Sequence, residues 1–345
     1  MKSLAKTYLN SKIFDKPFYV LYFVTRRCNI KCPMCSIFTH GDKKQELTLP
    51  EIKELAKNLK EIGAGMVILT GGEPFLREDL HEIVHIFSSR GILVRGQSNG
   101  ILVTREKLKA CYDGGMGFFT VSLDSADRNK FDTMCGHKGL WDSAVNAIRM
   151  SVEMQPHGYS TLANTVISSR NIDELPDIAR FVDSLGAFIG FDPVHIQENS
   201  TIYSNDKSML VSGEDRARIE HSFKELIKLK KSGCRIGNSL KFIETAMECM
   251  LAGDYRWRCD AGRLFFGISD SGEIMPCKHF NGLSTNRGSS LAEIFRSKTF
   301  KEKCNSQIDG CGGCCWSGGR ETSMLFHDNS VIFERMKTYF KKVIL

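Results

Sequence analysis

A chain of 345 residues, 42% hydrophobic and 25% charged, can bury a barrel-sized core and carry a smaller module beside it. No apolar run is long enough to cross a membrane, and residues 1–15 lack the apolar core and cleavage site of a secretory signal; a cytoplasmic protein without a transmembrane segment is expected. The formal net charge of +7 comes from lysines interleaved with acids, as in 51–61, which reads as solvated helix faces and argues against a nucleic-acid track.

The segment 4–14 is amphipathic and predicts a short helix across one end of the domain. An apolar, β-branched and aromatic run, Tyr19–Thr25, predicts a buried strand that delivers Arg27-Cys28-Asn29-Ile30-Lys31-Cys32-Pro33-Met34-Cys35. Four thiolates close a tetrahedral metal site. Three from one tight loop can hold three irons of a cube and leave the fourth open to an outside ligand. A zinc knuckle is the alternative for the same residues. After a polar link at His40-Gly41-Asp42-Lys43-Lys44, Thr48 and Glu51 form a capping box, apolar residues recur from Ile52 to Ile62, and Gly63 stops the helix.

A second unit starts with strand 66–69 and ends in Thr70-Gly71-Gly72-Glu73-Pro74, where glycines let the backbone approach a ligand and a carboxylate can accept from an ammonium. The alternation continues: helix 77–90, strand 93–96 running into Gln97-Ser98-Asn99-Gly100, helix 104–112, strand 118–123, helix Leu140–Met154, strand Thr161–Ile167, helix 172–185, strand 188–191. Apolar strands with polar carboxyl ends predict a parallel sheet with its active groups at one rim.

The cysteine spacing followed by Gly-Gly-Glu-Pro resembles the radical S-adenosylmethionine (SAM) family. The resemblance implies an α/β fold, a partial (β/α)6 TIM-like barrel, with Cys28, Cys32 and Cys35 on a SAM-binding 4Fe–4S cluster. There the open iron chelates SAM, whose reductive cleavage gives a 5′-deoxyadenosyl radical. It also implies Met34 against the adenine and Gly71, Gly72 and Glu73 beside the SAM amino group. Asn99 (with Gln97), Ser122, Asp124 and Asn164 are placed to touch SAM, or else serve as caps and turns. Past the last barrel strand His195 can shuttle a proton and Glu198 grip a substrate. Cys135 can donate a hydrogen atom or line the pocket, or be a core thiol.

Two helices, 214–231 and 238–251, bridge to a second cysteine group. Cys259 and Cys277 flank a hairpin, 264–268 and Glu273–Met275, that brings their thiolates together. A helix over 289–303 then leads to Cys304, Cys311, Cys314 and Cys315 in a glycine-rich coil. Cys-x12-Gly-x4-Cys, then Cys-x2-Cys, resembles the twitch or SPASM extension of radical SAM enzymes. It implies one auxiliary 4Fe–4S cluster on Cys259, Cys277, Cys311 and Cys314, with Cys304 or Cys315 as possible substitutes; a closed zinc site is the alternative. A basic amphipathic helix at the end is expected to close the barrel's open side.

The expected organisation is an N-terminal segment (1–15), the barrel (16–210), a helical bridge (211–255), the small cysteine-rich auxiliary domain (256–320) and the terminal helix (321–345). The expected activity is hydrogen abstraction from a small-molecule intermediate, with reduction by a flavodoxin or ferredoxin. The preference for a small molecule rests on the cysteine loop starting at residue 28, with no leader-capturing module ahead of it. The alternatives are a peptide maturase and a non-enzymatic iron–sulfur or zinc scaffold, the latter disfavoured by Gly-Gly-Glu-Pro.

Overall fold

The computed structural model describes residues 2–37, 46–157, 159–194, 207–211, 215–285 and 290–344. Six strands, β1 (Tyr19–Thr25), β2 (Met66–Gly71), β3 (Leu93–Ser98), β4 (Met116–Ser122), β5 (Thr161–Ile167) and β6 (Phe188–Pro193), pair in parallel in chain order. Parallel neighbours require crossovers, and helices supply them. Following α1 (Lys2–Phe14) these are α2 (Leu49–Ile62), α3 (Leu80–Ser88), α4 (Arg105–Asp113), α5 (Arg128–Cys135), α6 (Leu140–Met154) and α7 (Leu175–Ser184). The Thr48–Glu51 capping box opens α2, and Gly63, at φ 82°, closes it as the sequence predicts.

Alternation along each strand divides the core. Val20, Tyr22 and Val24 face the helices with Leu55, Phe87 and Val84. Tyr19, Leu21 and Phe23 face inward, onto Phe265, Trp316 and Phe326. The inner wall of the barrel is therefore packed against the second cysteine region.

That region begins after α8 (Arg216–Ser232) and α9 (Leu240–Ala252). Its strand β7 (Phe265–Ile268) pairs in parallel with β1, and β8 (Glu273–Met275) and β9 (Ser284–Thr285) follow antiparallel. One nine-stranded sheet results, in the order β6-β5-β4-β3-β2-β1-β7-β8-β9, so the hairpin anticipated from sequence continues the barrel sheet.

Several local expectations change. The short helix α5, unanticipated, places Cys135 at its last turn. The helix expected over 289–303 is two, α10 (Leu291–Arg296) and α11 (Lys298–Asp309), because Ser297 ends one and caps the other by accepting from Phe300 N. Cys304 accordingly lies inside α11, not in coil. The glycines after Cys315 belong to α12 (Ser317–His327), where a Cβ on Gly319 would stand 2.9 Å from the Phe265 ring. Close packing on aromatic rings outweighs the poor helix propensity of glycine there.

The last helix, α13 (Asn329–Ile344), braces the β6 side. Glu334 Oε2 accepts from Leu240 N at 2.9 Å, and Arg335 Nη1 donates to Gly237 O. Gly237 N in turn bonds Ile189 O, and Asn238 bonds both the N–H and C=O of Phe191, so the exposed edge of β6 is satisfied.

Candidate active site

β1 ends in the loop that carries the first cysteines, and the loop is tied down from four directions. Gly72 N donates to Thr25 O at 2.9 Å and Glu73 N to Arg27 O at 2.8 Å. Asn99 Nδ2 reaches Asn29 Oδ1 at 2.8 Å. Glu46 accepts from Thr25 Oγ1 (2.5 Å) and Arg27 Nε (2.8 Å), while Arg77 Nη1 donates to Val24 O. Arg26 Nε meets Asp270 Oδ1 at 3.0 Å, linking the loop to the turn between β7 and β8.

Cys28, Cys32 and Cys35 are partly exposed there, and Cys35 N donates to Cys32 O at 3.0 Å. Burial raises the Cys28 thiol, and raises Cys35 to about 11, with charge on the neighbouring cysteines adding to both. Cys32 is lowered instead, because Cys135 hydrogen-bonds its sulfur. Among the described residues no three His, Cys, Asp or Glu side chains close on one ion's position. A cube presents a separate iron to each thiolate, so the triplet has only to face one shared space. Charge on Cys32 bears on both Cys28 and Cys35, and a metal centre would displace the protons of all three.

Gly71 and Gly72 pass so near this loop that side chains have no room: a Cβ on Gly71 would lie 2.1 Å from Thr25 O, and one on Gly72 2.0 Å from Arg27 O. Gly71 also sits at φ 139°. Glu73 turns inward and is fully buried. Its Oε1 accepts from Ser98 Oγ (2.8 Å) and Phe75 N (3.0 Å), its Oε2 from Asn99 N (2.8 Å). Burial raises its pKa to about 7 against the pull of those bonds. The carboxyl thus locks the ends of β2 and β3 together, and Gly71 and Gly72 are the partly exposed members of the motif.

Ser122, exposed at the end of β4, is in register with Asn164, partly exposed midway along β5. Asp124 is buried and accepts from Val166 N at 2.7 Å; desolvation raises it to about 7. Met34 packs with Val194 and Met209 beside the partly buried Cys32, Cys35 and Val166. Cys135, 4% exposed, abuts Cys32 and Asp124. His195 and Glu198 lie outside the described residues.

In the second group Cys259, Cys277, Cys311 and Cys314 come together. Burial raises Cys259, Cys277 (to about 12) and Cys314, and charge on other members of the four opposes ionisation of each of these three. Gly313, at φ 88°, lets the Cys311–Cys314 turn press on Tyr255 O, 2.2 Å from where a Cβ would be. Cys304 is raised by burial alone, and Cys315 pairs with Cys249 beside Arg320, whose Nη1 lies 3.0 Å from Cys249 Sγ and 3.6 Å from Cys315 Sγ. Cys304 thus shows no electrostatic link to the four, whereas Cys315 also feels charge from Cys314. Cys249, which shows no ligand spacing in the sequence, proves to have a thiol partner.

Tyr19 lies beside the second cysteine group on the inner wall. It feels charge from Cys277 and Cys259 on one side and from Asp192 and Arg95 on the other. Arg95, Asp192 and Lys278 escape a motif-based reading. The signal for Arg95 was an arginine in mid-strand within Leu-Val-Arg-Gly-Gln-Ser.

The Radical SAM superfamily model matches residues 22–182. PqqA peptide cyclase from Bradyrhizobium diazoefficiens is 27% identical over 335 residues, spanning 90% of this chain and 84% of that protein. AdoMet-dependent heme synthase from Methanosarcina barkeri is 25% identical over 319 residues, spanning 87% and 88%. Streptococcus suis SuiB bound to precursor peptide SuiA shares the fold with a TM-score of 0.67 at 15% identity, over 88% of this chain and 70% of that one.

Proposed function

The chain belongs to the radical SAM superfamily, with a twitch/SPASM-type C-terminal region, and is an enzyme; from that premise we propose that it is a peptide maturase. The observation that carries this reading is the likeness to a peptide cyclase over 90% of the chain, well beyond the matched family domain. It replaces the small-molecule substrate expected from the sequence. A small molecule stays as the second reading because similarity to a heme synthase also spans 87% of the chain.

A bound 4Fe–4S cluster and SAM supply a 5′-deoxyadenosyl radical that takes a hydrogen atom from carbon. In this proposal Cys28, Cys32 and Cys35 hold that cluster, while Gly71 and Gly72 at the end of β2, with Ser122 at the end of β4 and Asn164 beside it on β5, orient SAM. Asn99 and Asp124 act one step back, fixing the loop and the β4–β5 rim. Met34 offers an apolar surface to the adenine, and the thiol of Cys135 adjoins Cys32. Cys259, Cys277, Cys311 and Cys314 hold an auxiliary 4Fe–4S cluster whose four thiolates leave no open iron, which suits an electron relay. A flavodoxin or ferredoxin supplies electrons in the cytoplasm, and no described helix is long and apolar enough to cross a membrane.

Anaerobically reconstituted protein with SAM and dithionite is expected to form 5′-deoxyadenosine. Deuterated short peptides encoded beside its gene are then expected to pass deuterium into that product. Transfer only from small molecules would reverse the assignment.

A further inference from the structure

Arg95 on β3 and Asp192 on β6 are the only charged residues in the six barrel strands. Asp192 is answered: its Oδ1 accepts from Ser317 N at 2.7 Å and the Lys278 ammonium lies near. Arg95 is not. Among the described residues it makes no hydrogen bond and meets no carboxylate, and its Nε is buried without a partner. One face of the guanidinium rests 5.4 Å from the centre of the Phe118 ring. The charged group nearest it in effect is Arg335, of like sign. A guanidinium keeps its charge at any working pH, so this one lacks a counter-ion among the described residues.

Two more orphans sit on the same inner face. The hydroxyls of Tyr19 (4% exposed) and Thr120 (3% exposed) are buried with no hydrogen-bond partner among the described residues. Arg95 is in register with Phe118, Thr120 lies one pleat further along β4, and Tyr19 is within electrostatic reach of Arg95. One forked cation and two hydroxyl donors, all unsatisfied, match a group that only accepts and carries a single negative charge.

We propose that Arg95, with Tyr19 and Thr120, holds a carboxylate of the substrate inside the barrel; for a peptide this rests on the maturase reading above. The carboxylate of SAM is not the ligand, since Arg95 lies three residues, about 10 Å at the strand rise, before the β3 end where the SAM groups gather. The group is either an acidic side chain or a chain-terminal carboxylate of the substrate.

The test measures equilibrium binding to reconstituted, SAM-loaded protein. The probes are an acetylated, amidated peptide with one Glu, its Gln counterpart, the Gln peptide with a free C-terminus, and succinate. Wild type is expected to bind one of the two anionic peptides at least tenfold more tightly than the neutral one, and which one identifies the source. R95Q is expected to bind all three alike and to lose succinate, with SAM affinity unchanged. Succinate binding that depends on Arg95, with no peptide bound, would sink the maturase reading and leave the anion site standing. Equal binding of neutral and anionic peptides without succinate binding overturns the site. An acid preference that survives in R95Q overturns it, as does parallel loss of SAM. Should R95Q not fold, R95K, which keeps charge without the fork, is expected to cut the preference at least threefold, and an unchanged preference overturns it.

Discussion

The amide of Glu73 donates to the carbonyl of Arg27 at 2.8 Å, immediately before Cys28, so the end of β2 and the first cysteine loop are one backbone structure. The neighbouring Gly72 cannot carry a side chain without meeting that same carbonyl at 2.0 Å. G72A is therefore expected to push the loop away. We expect iron incorporated at the first site to fall by half or more and SAM cleavage about a hundredfold, while the far-ultraviolet circular dichroism stays near wild type. Normal iron content and cleavage in G72A would show that the close approach is dispensable.

Glu73 gives a pH dependence of unusual sign for a carboxyl. Its pKa rises on folding from 4.5 to about 7, chiefly through burial. Between those values the unfolded chain has lost the proton and the folded one keeps it, so stability falls as pH rises, and the cost is complete above pH 7. The full effect is on the order of 3 kcal/mol. E73Q removes the titration. The difference in thermal midpoint between wild type and E73Q, measured at matched cluster loading, is expected to move in favour of E73Q from pH 5 to pH 8. A difference independent of pH would mean the carboxyl is ionised throughout.

The repeating units were legible because apolar runs and polar ends recur at fixed phase; Thr48, Glu51 and Gly63 mark α2 unaided. What stayed hidden depends on tertiary neighbours. The inward turn of Glu73 is set by Ser98 and Asn99, 25 and 26 residues away. Similarly, α12 forms over a Gly-Gly pair because aromatic rings lie against it, which no propensity reveals. The pairing of Cys315 with Cys249 beside Arg320 was equally invisible, since spacing alone offers Cys315 as a ligand and gives Cys249 no partner. For the hairpin, local signals gave the strands but not the β1–β7 pairing that joins it to the barrel.

The four cysteines proposed for the auxiliary cluster make a numerical prediction. With both sites loaded, reconstituted protein should hold about eight irons per chain, four per cube. C259A, C277A, C311A or C314A should bring this to about four while retaining the signal of the reduced SAM-binding cluster. C304A should leave it near eight, at a stability cost of roughly 1–3 kcal/mol for emptying a core position. Loss of iron in C304A equal to that in C311A would bring Cys304 back among the ligands, and zinc in place of iron would favour the structural alternative.

Cys249 and Cys315 hold the last prediction. Both are buried, they hydrogen-bond each other, and Arg320, 5% exposed, directs one nitrogen at both sulfurs, at 3.0 and 3.6 Å. Two thiols sharing a proton beside a fixed cation favour a single thiolate, and the shorter distance puts it on Cys249, whose pKa is depressed by Cys315 and Arg320 while that of Cys315 is raised. Removing the guanidinium takes away the only cation recorded at the pair among the described residues, so R320M should raise the pKa of Cys249 by about one unit or more. The readout is the ultraviolet thiolate titration of wild type minus C249S, compared with the same difference in the R320M background. C249S itself should keep its full iron content, because the pair lies outside the four-thiol set. If C249S loses iron, the sulfur belongs to a cluster; if R320M leaves the titration where it was, Arg320 is a packing residue and the thiolate is held by other groups.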